Sequence, residues 1–157
     1  MIASPSPTSQ ATEHECRVRD LYAARLQDER PNERLLDTEH SYPGTAIRSD
    51  MRTLDRANDV RVWEFEIVCS YTGLGQVLTY LAVARRAEGF ERRVRGVLAA
   101  FEFQPEILLA VEALNLGLEI VHIPAKYRLA GGVPARAAPP PAPVIPSSPR
   151  KTRSKHP

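Results

Sequence analysis

The spacing of hydrophobic and polar residues changes along this chain, and each spacing predicts a different element. In residues 12–29 apolar side chains recur every three or four positions, which predicts an amphipathic helix. The apolar stripe consists of Val18, Leu21, Tyr22 and Leu26. Thr12 and Glu15 have the spacing of a capping box at the start of this helix, and Pro31 marks its end.

Shorter apolar runs follow, and their length and composition predict strands. Residues 35–42 are an ambiguous first strand, and residues 47–54 form a second one. Residues 60–68 are dense in β-branched and aromatic side chains, which favours a third strand. Residues 55–59 between them are rich in Asp and Asn and predict a turn.

Strands then alternate with helices. We expect a helix at residues 73–87, a strand at 95–101, a helix at 105–116 and a fifth strand at 118–123. The near-continuous apolar run of the fourth strand is typical of a strand covered on both faces. Pro105 suits the first turn of a helix, and Gly117 suits its end. The alternation predicts an α/β domain whose central mixed sheet is flanked by helices, with at least one right-handed parallel crossover.

Both ends of the chain lack this patterning. Residues 1–11 show no periodicity, and residues 130–157 contain eight prolines, so both are expected to be disordered around a domain at 12–129. The tail carries five basic residues and no acidic one, whereas the remainder has 16 basic residues against 19 acidic ones. The tail is therefore either a tether to the DNA backbone or a solubilising extension.

Composition limits the class of protein. A chain of 157 residues with 43% hydrophobic and 25% charged residues fits one soluble globular domain. The N-terminus lacks the pattern of a secretory signal, and the longest apolar stretch is interrupted by Glu112 and Glu119. Cys16 and Cys69 have neither disulfide-framework nor metal-ligand spacing. We therefore expect a cytoplasmic protein with reduced thiols in or near its core and no membrane contact.

Acidic residues interrupt two of the predicted strands. Asp50 lies on the second strand, and Glu64 and Glu66 lie on the third. Because side chains alternate across a strand, the two glutamates share one face, and Trp63 and Phe65 take the other. Carboxylates buried together are costly unless a divalent cation lies between them. The alternative is a solvent-facing edge on which the carboxylates pair with Arg48, Arg52 or Arg61.

Gln76 and Tyr80 are one helical turn apart and share a face of the helix that follows. In the order Asp50, then Glu64-Phe65-Glu66, then Gln76-Val77-Leu78-Thr79-Tyr80, the sequence resembles the PD-(D/E)xK nuclease superfamily. Within that superfamily it is similar to the RecB-like branch, which carries a Gln-x-x-x-Tyr motif. The resemblance extends from the first helix to Pro124 and implies a restriction-endonuclease-like core.

The resemblance also implies roles for individual residues in a DNA nuclease that depends on Mg²⁺ or Mn²⁺. Asp50 and Glu64 would bind the metal, and Gln76 and Tyr80 would support the site or contact the nucleic acid. Glu15 would approach the metal from the first helix, or else only cap that helix. Glu66 completes the expected catalytic set of Asp50, Glu64, Glu66, Gln76 and Tyr80. It departs from the family pattern because it stands where that pattern has a lysine, although some active members carry glutamate there.

A cluster of arginines surrounds the end of the predicted Gln/Tyr helix. It consists of Arg85, Arg86, Arg92, Arg93 and Arg95, and it is either a solvated helix end or a rim that contacts DNA.

Three functions follow from these patterns. The first is an endonuclease or exonuclease that hydrolyses phosphodiester bonds in DNA. The second is a catalytically inactive nuclease-fold module that binds DNA or a protein partner in a larger complex, and a homodimer is compatible with either. The third is a structural domain with acidic residues only on its surface, which requires that Asp50, Glu64 and Glu66 do not converge.

Overall fold

The computed structural model describes residues 7–129, with side chains from Thr12 onwards. The tail at 130–157 and residues 1–6 lie outside the described residues, so their expected disorder stays a prediction. Within the described part, the chain forms a five-stranded sheet flanked by helices. No helix in residues 7–129 has the length and apolar character needed to cross a membrane.

The elements follow one another in nearly the predicted order. The strands are β1 (Glu33–Ser41), β2 (Arg48–Asp55), β3 (Val60–Cys69), β4 (Val94–Phe103) and β5 (Leu118–His122). The helices are α1 (Pro7–Ala24), α2 (Leu26–Glu29), α3 (Tyr71–Ala87) and α4 (Pro105–Ala113), and a 3-10 turn at Ala125–Tyr127 follows β5.

The sheet is mixed, and its spatial order is the order of the strands along the chain. β1 and β2 are antiparallel, as are β2 and β3. β3 and β4 are parallel, as are β4 and β5. Parallel neighbours need long connections, and α3 and α4 provide them. The predicted α/β class and mixed sheet are thus confirmed.

Some helix boundaries differ from the prediction. α1 begins at Pro7, inside the segment expected to be disordered, because proline is tolerated in a first helical turn. Thr12 therefore lies within the helix, and the predicted capping box does not mark its start. The predicted single helix is also broken at Arg25, whose φ of −116° is not helical, so α2 is separate.

The two faces of β3 pack against different helices. Trp63 and Phe65 lie under α1, where both rings are less than 6 Å, centroid to centroid, from the ring of Tyr22. Val62 lies on the opposite face, where it packs with Leu81 of α3. The alternation of side chains predicted for β3 is therefore confirmed.

The pairing of β2 with β3 is short, and this opens the sheet locally. The paired residues run from Leu54 and Val60 to Met51 and Trp63. Beyond Trp63, β3 continues alongside β4 as far as Cys69. We call the region between β2 and β3 beyond the Met51–Trp63 pair the fork.

A buried polar chain holds β1, β2 and β3 together at the closed side of the fork. The indole Nε1 of Trp63 donates a hydrogen bond to Thr53 Oγ1 over 2.9 Å. Thr53 in turn donates to Glu33 Oε2 over 2.7 Å. Since these side chains are buried, neither bond can be replaced by water without a change in structure.

We expect Thr53→Val to lower the free energy of unfolding by about 1–3 kcal/mol, because it leaves the buried Trp63 indole N–H without its acceptor and Glu33 Oε2 without the Thr53 donor. Urea denaturation measures this. Thr72→Val, the same change at an exposed position of α3, is the matched control and should shift stability much less. Equal effects of the two substitutions would contradict the role assigned to the polar chain.

Candidate active site

Two carboxylates occupy the fork in place of a partner strand. Asp50 Oδ2 accepts a hydrogen bond from the backbone N–H of Phe65 over 2.8 Å. The Glu15 carboxylate, from α1, accepts one from the backbone of Ile67. N–H groups of alternate residues in a strand point to the same side, so both donors face the space that β2 has left. Where β2 separates from β3, two acids thus lie at the edge of β3.

Glu64 is the most deeply buried member of this group, with 4% of its surface exposed. Burial, together with the neighbouring charges of Asp50 and Glu66, raises the pKa of Glu64 to about 10. Within the described residues, its Oε2 atom has no hydrogen-bond partner. A buried carboxylate oxygen without a donor is suited to a cation.

Glu66 projects from the same face of β3 and fits against α3. A Cβ atom added at Gly73 would lie only 2.8 Å from Glu66 Oε1, so the absence of a side chain at Gly73 makes room for this carboxylate. Burial and the nearby carboxylates of Glu15 and Asp50 raise the pKa of Glu66 to about 8. Glu15 and Glu66 also share a hydrogen bond, so at least one of them is protonated when they meet.

Tyr80 and Gln76 of α3 lie on the side of the cluster that faces this helix. Tyr80 is buried, and burial together with the charges of Glu64 and Asp50 raises its pKa. Its hydroxyl approaches the Glu64 carboxylate and opposes the rise in the pKa of Glu64. Gln76 hydrogen-bonds to Tyr80 and holds the phenol in place. The structure therefore brings together all five residues of the expected catalytic set.

The four acids also disprove the interpretation of this region as a surface edge. Burial is the largest cause of the raised pKa at Asp50, Glu15, Glu64 and Glu66 alike. The three arginines proposed as their partners instead pair with other acids. Arg48 pairs with Glu39, Arg52 with Asp37, and Arg61 with Asp55.

Sequence reasoning missed one charged residue beside this cluster. Arg19 of α1 is only 5% exposed, and its guanidinium pairs with Asp20 at 2.8 Å and with Glu39 at 3.3 Å. Its positive charge opposes the rise in the pKa of Asp50. The available signal was its position four residues after Glu15, on the same face of the helix.

The arginine cluster predicted to contact DNA lies elsewhere. Val60 pairs with Val94 where β3 and β4 begin, and the arginines surround that end of the sheet. Glu64 lies four residues further along β3, which corresponds to roughly 13 Å. Several of the arginines have local partners: Arg85 donates to Val94 O, Arg92 pairs with Glu88, and Arg93 and Arg95 pair with Asp59. Contact of this cluster with DNA stays a prediction.

A cleft of about 630 Å³ lies next to the acidic cluster. One wall is the end of the β1–β2 loop with Arg48, and the other is the first half of α3. Gln76 and Tyr80 line it, so its interior adjoins Glu64 through the Tyr80 hydroxyl. Tyr71, also in its lining, is 63% exposed and presents an aromatic ring to whatever enters.

The donors at the fork are those of a hard divalent cation. Asp50 and Glu64 supply carboxylate oxygens, and the carbonyl of Phe65 points to the same side as the N–H that Asp50 accepts. Among residues 12–129, no group of three or more His, Cys, Asp or Glu side chains is arranged to hold a metal ion. Two carboxylates nevertheless suffice for Mg²⁺, which keeps several waters. The oxygen set and the unpartnered Glu64 Oε2 therefore fit Mg²⁺ or Mn²⁺, and the part of Glu15 as a ligand stays a prediction.

The fold is shared with a solved nuclease structure. Over 79% of this chain, it superposes on EndoMS in complex with double-stranded DNA with a TM-score of 0.58 and 16% sequence identity. A repair endonuclease from Pyrococcus abyssi is similar over 67% of this chain, with a TM-score of 0.49 and 19% identity. The chain spans about half the length of these proteins, 48% and 47% respectively. Neither family models nor curated protein sequences match this chain.

The raised pKa values predict that the metal-free protein loses stability as pH rises. In the unfolded chain Glu64 and Glu66 ionise near their usual pKa of about 4.3, whereas in the folded chain they hold their protons up to about 10 and about 8. Their contribution to stability is thus complete below pH ~4 and declines as pH rises through the folded pKa values. We expect Glu64→Gln to exceed the wild type in free energy of unfolding at pH 9 by more than about 1 kcal/mol.

Chemical denaturation in EDTA between pH 5 and pH 9 measures this difference. Glu112→Gln, at an exposed position of α4, is the control and should follow the wild-type profile. If Glu64→Gln is less stable than the wild type at pH 9, the fold does not raise the pKa of Glu64 and the prediction is wrong.

Proposed function

We propose that this protein is a metal-dependent nuclease of the PD-(D/E)xK type that hydrolyses phosphodiester bonds in DNA with Mg²⁺ or Mn²⁺. The observation that carries the proposal is the convergence of Asp50, Glu64 and Glu66 at the fork, with Glu64 Oε2 buried and unpartnered. The likeness of its fold to that of EndoMS bound to double-stranded DNA supports DNA as the substrate.

Each residue has a task that its surroundings support. Asp50 and Glu64 would hold the metal ion, with the Phe65 carbonyl beside them. When bound, the ion would activate a water molecule and neutralise charge on the phosphate. Tyr80 fixes the Glu64 carboxylate by its hydroxyl, and Gln76 fixes Tyr80.

Glu66 takes the place that the family pattern gives to a lysine. It cannot supply positive charge, but its carboxylate can accept a proton from an attacking water once it is ionised. Its position depends on Gly73, which leaves room for the carboxylate at the first turn of α3. We therefore assign Glu66 as the general base of this site.

The cleft between the β1–β2 loop and α3 would guide the DNA strand to these residues. Arg48 would attract a phosphate, and the exposed ring of Tyr71 would stack on a base. Stacking of this kind tolerates any base, so the cleft favours recognition of backbone and shape over sequence.

A second function is favoured by a different observation. Within residues 12–129, no lysine or arginine forms an ion pair with Glu64 or Glu66, so the cation of the family motif is not replaced by direct contact. A catalytically inactive nuclease fold that binds DNA or a protein partner, as one copy or as a homodimer, would show this feature too.

Cleavage of single-stranded, duplex and branched DNA with Mn²⁺ decides between the two functions. We expect wild-type cleavage that Asp50→Asn reduces by at least about a hundredfold. Asparagine keeps an acceptor for the Phe65 N–H, so the fork should stay folded. Asp28→Asn, on the exposed side of α2, is the matched control and should cleave as the wild type does. No cleavage by folded wild-type protein on any of these substrates would favour the inactive module.

Gly73→Ala tests the placement of Glu66. The added Cβ would displace the Glu66 carboxylate, which is flexible enough to move without unfolding the protein. We expect cleavage to fall by about 10–100-fold, since misplacement of a reacting group by about an ångström has that effect. Gly75→Ala meets nothing within 4 Å and is the matched control in the same helix. If Gly73→Ala cleaves DNA as fast as the wild type does, Glu66 does not take part in the reaction.

A further inference from the structure

Glu39 has an unusual backbone conformation directly beside the acidic cluster. It lies on β1 between Thr38 and His40, whose partners on β2 are Met51 and Ser49, so it faces Asp50. Its φ is +54°, in the left-handed region that side chains other than glycine seldom adopt. Such outliers store strain and occur preferentially where a function requires them.

The Glu39 side chain lies between two arginines. Arg19 Nη1 is 3.3 Å from Glu39 Oε1, and Arg48 Nη2 is 3.7 Å from the same oxygen. A single anionic oxygen is therefore held by two guanidinium groups that come from different elements, α1 and β2. Two guanidinium groups that converge on one oxygen are an arrangement that proteins use to bind phosphate.

The two arginines also connect the acidic cluster with the open cleft. Both oppose the rise in the pKa of Asp50, which places their charge within electrostatic reach of that carboxylate. Arg48 additionally lines the cleft that opens onto Tyr80. An anion that enters the cleft therefore meets Arg48, which shares the Glu39 carboxylate with Arg19.

We propose that Arg19 and Arg48 form a phosphate-binding subsite for a DNA strand, and that the Glu39 carboxylate occupies this subsite until DNA displaces it. The proposal rests on the proposed function, since the subsite would supply the positive charge that β3 lacks with Glu66 in place of the lysine of the family pattern. Both guanidinium groups would contact the phosphate, Arg48 from the cleft and Arg19 from α1.

Displacement of Glu39 is physically accessible. Its side chain is 43% exposed and that of Arg48 is 60% exposed, and an ion pair between exposed groups contributes little to stability. Arg19 is buried, but it keeps Asp20 as a second partner when Glu39 leaves. A DNA phosphate that takes its place makes charge-assisted hydrogen bonds with the same guanidinium groups and releases counterions. The Glu39 carboxylate thereby lowers the affinity of the subsite for weakly binding anions.

The test is the affinity for a fluorescent duplex or single-stranded oligonucleotide, measured by anisotropy in EDTA so that no cleavage occurs. We expect Glu39→Gln to bind at least about threefold more tightly than the wild type, and Arg48→Gln to bind more weakly with a salt slope smaller by about one. The gain from Glu39→Gln should vanish in the Glu39→Gln/Arg48→Gln double variant.

Matched controls separate this subsite from the general effect of charge. Glu13 and Arg17 form an exposed ion pair on α1 with the same 3.7 Å separation, and it lies on the outer face of the helix. Glu13→Gln and Arg17→Gln therefore alter the net charge equally and should change binding much less. A gain from Glu39→Gln no larger than that from Glu13→Gln overturns the proposal.

Arg19→Gln in the Glu39→Gln background tests the second guanidinium, with thermal unfolding as the check of folding. Loss of the increase in affinity, in folded protein, supports the subsite. Retention of the full increase shows that Arg19 is not part of it. If the double variant does not fold, the Arg48 cycle carries the test alone. All these experiments measure binding without metal, so they test the subsite separately from catalysis. Tighter binding by Glu39→Gln, together with no cleavage by the wild type, would support the subsite and reject the nuclease proposal.

Discussion

The separation of β2 from β3 beyond the Met51–Trp63 pair is the constraint on which the site depends. A strand that loses its neighbour leaves backbone N–H groups to be satisfied, and burial makes an unmade hydrogen bond expensive. Here carboxylates from Asp50 and Glu15 accept those bonds. The carboxylates that accept hydrogen bonds from the backbone of β3 are thus the same groups that concentrate negative charge beside it.

Such a concentration of acids opposes folding, and the rest of the domain offsets it. Behind β3, Tyr22 packs against both Trp63 and Phe65, and buried aromatic groups contribute strongly to a core. In front of β3, α3 covers the acids and places Tyr80 against Glu64. The site is therefore held between two well-packed layers, which limits the freedom of the acids to move apart.

Sequence alone predicted the parts of the site that depend on periodicity. Glu64 and Glu66 share a face because a strand alternates, and Gln76 and Tyr80 share one because a helix repeats. The parts that it missed depend on register and on contacts between distant segments. Arg19 and Glu39 meet only because the fold brings their side chains together from α1 and β1, and no spacing along the chain indicates that contact.

The start of α1 differs from the prediction for a related reason. The segment before Thr12 is rich in Ser, Pro and Thr, and local preference favours coil there, whereas the structure continues the helix back to Pro7. Local propensities are weak compared with tertiary context, so the ends of elements are harder to derive than their centres. The unusual φ of Glu39 is likewise a property of the folded sheet and not of its neighbours in sequence.

Trp63 is the only tryptophan of the chain, and it is fully buried at the last pair before β2 and β3 part. Arg30 lies over its ring at 5.4 Å, and its indole donates to Thr53. Its fluorescence emission therefore comes from a single known place and responds to the polarity and quenching around that place. Any ligand that widens or tightens the fork can be followed by intrinsic fluorescence, without a label and in the unmodified protein.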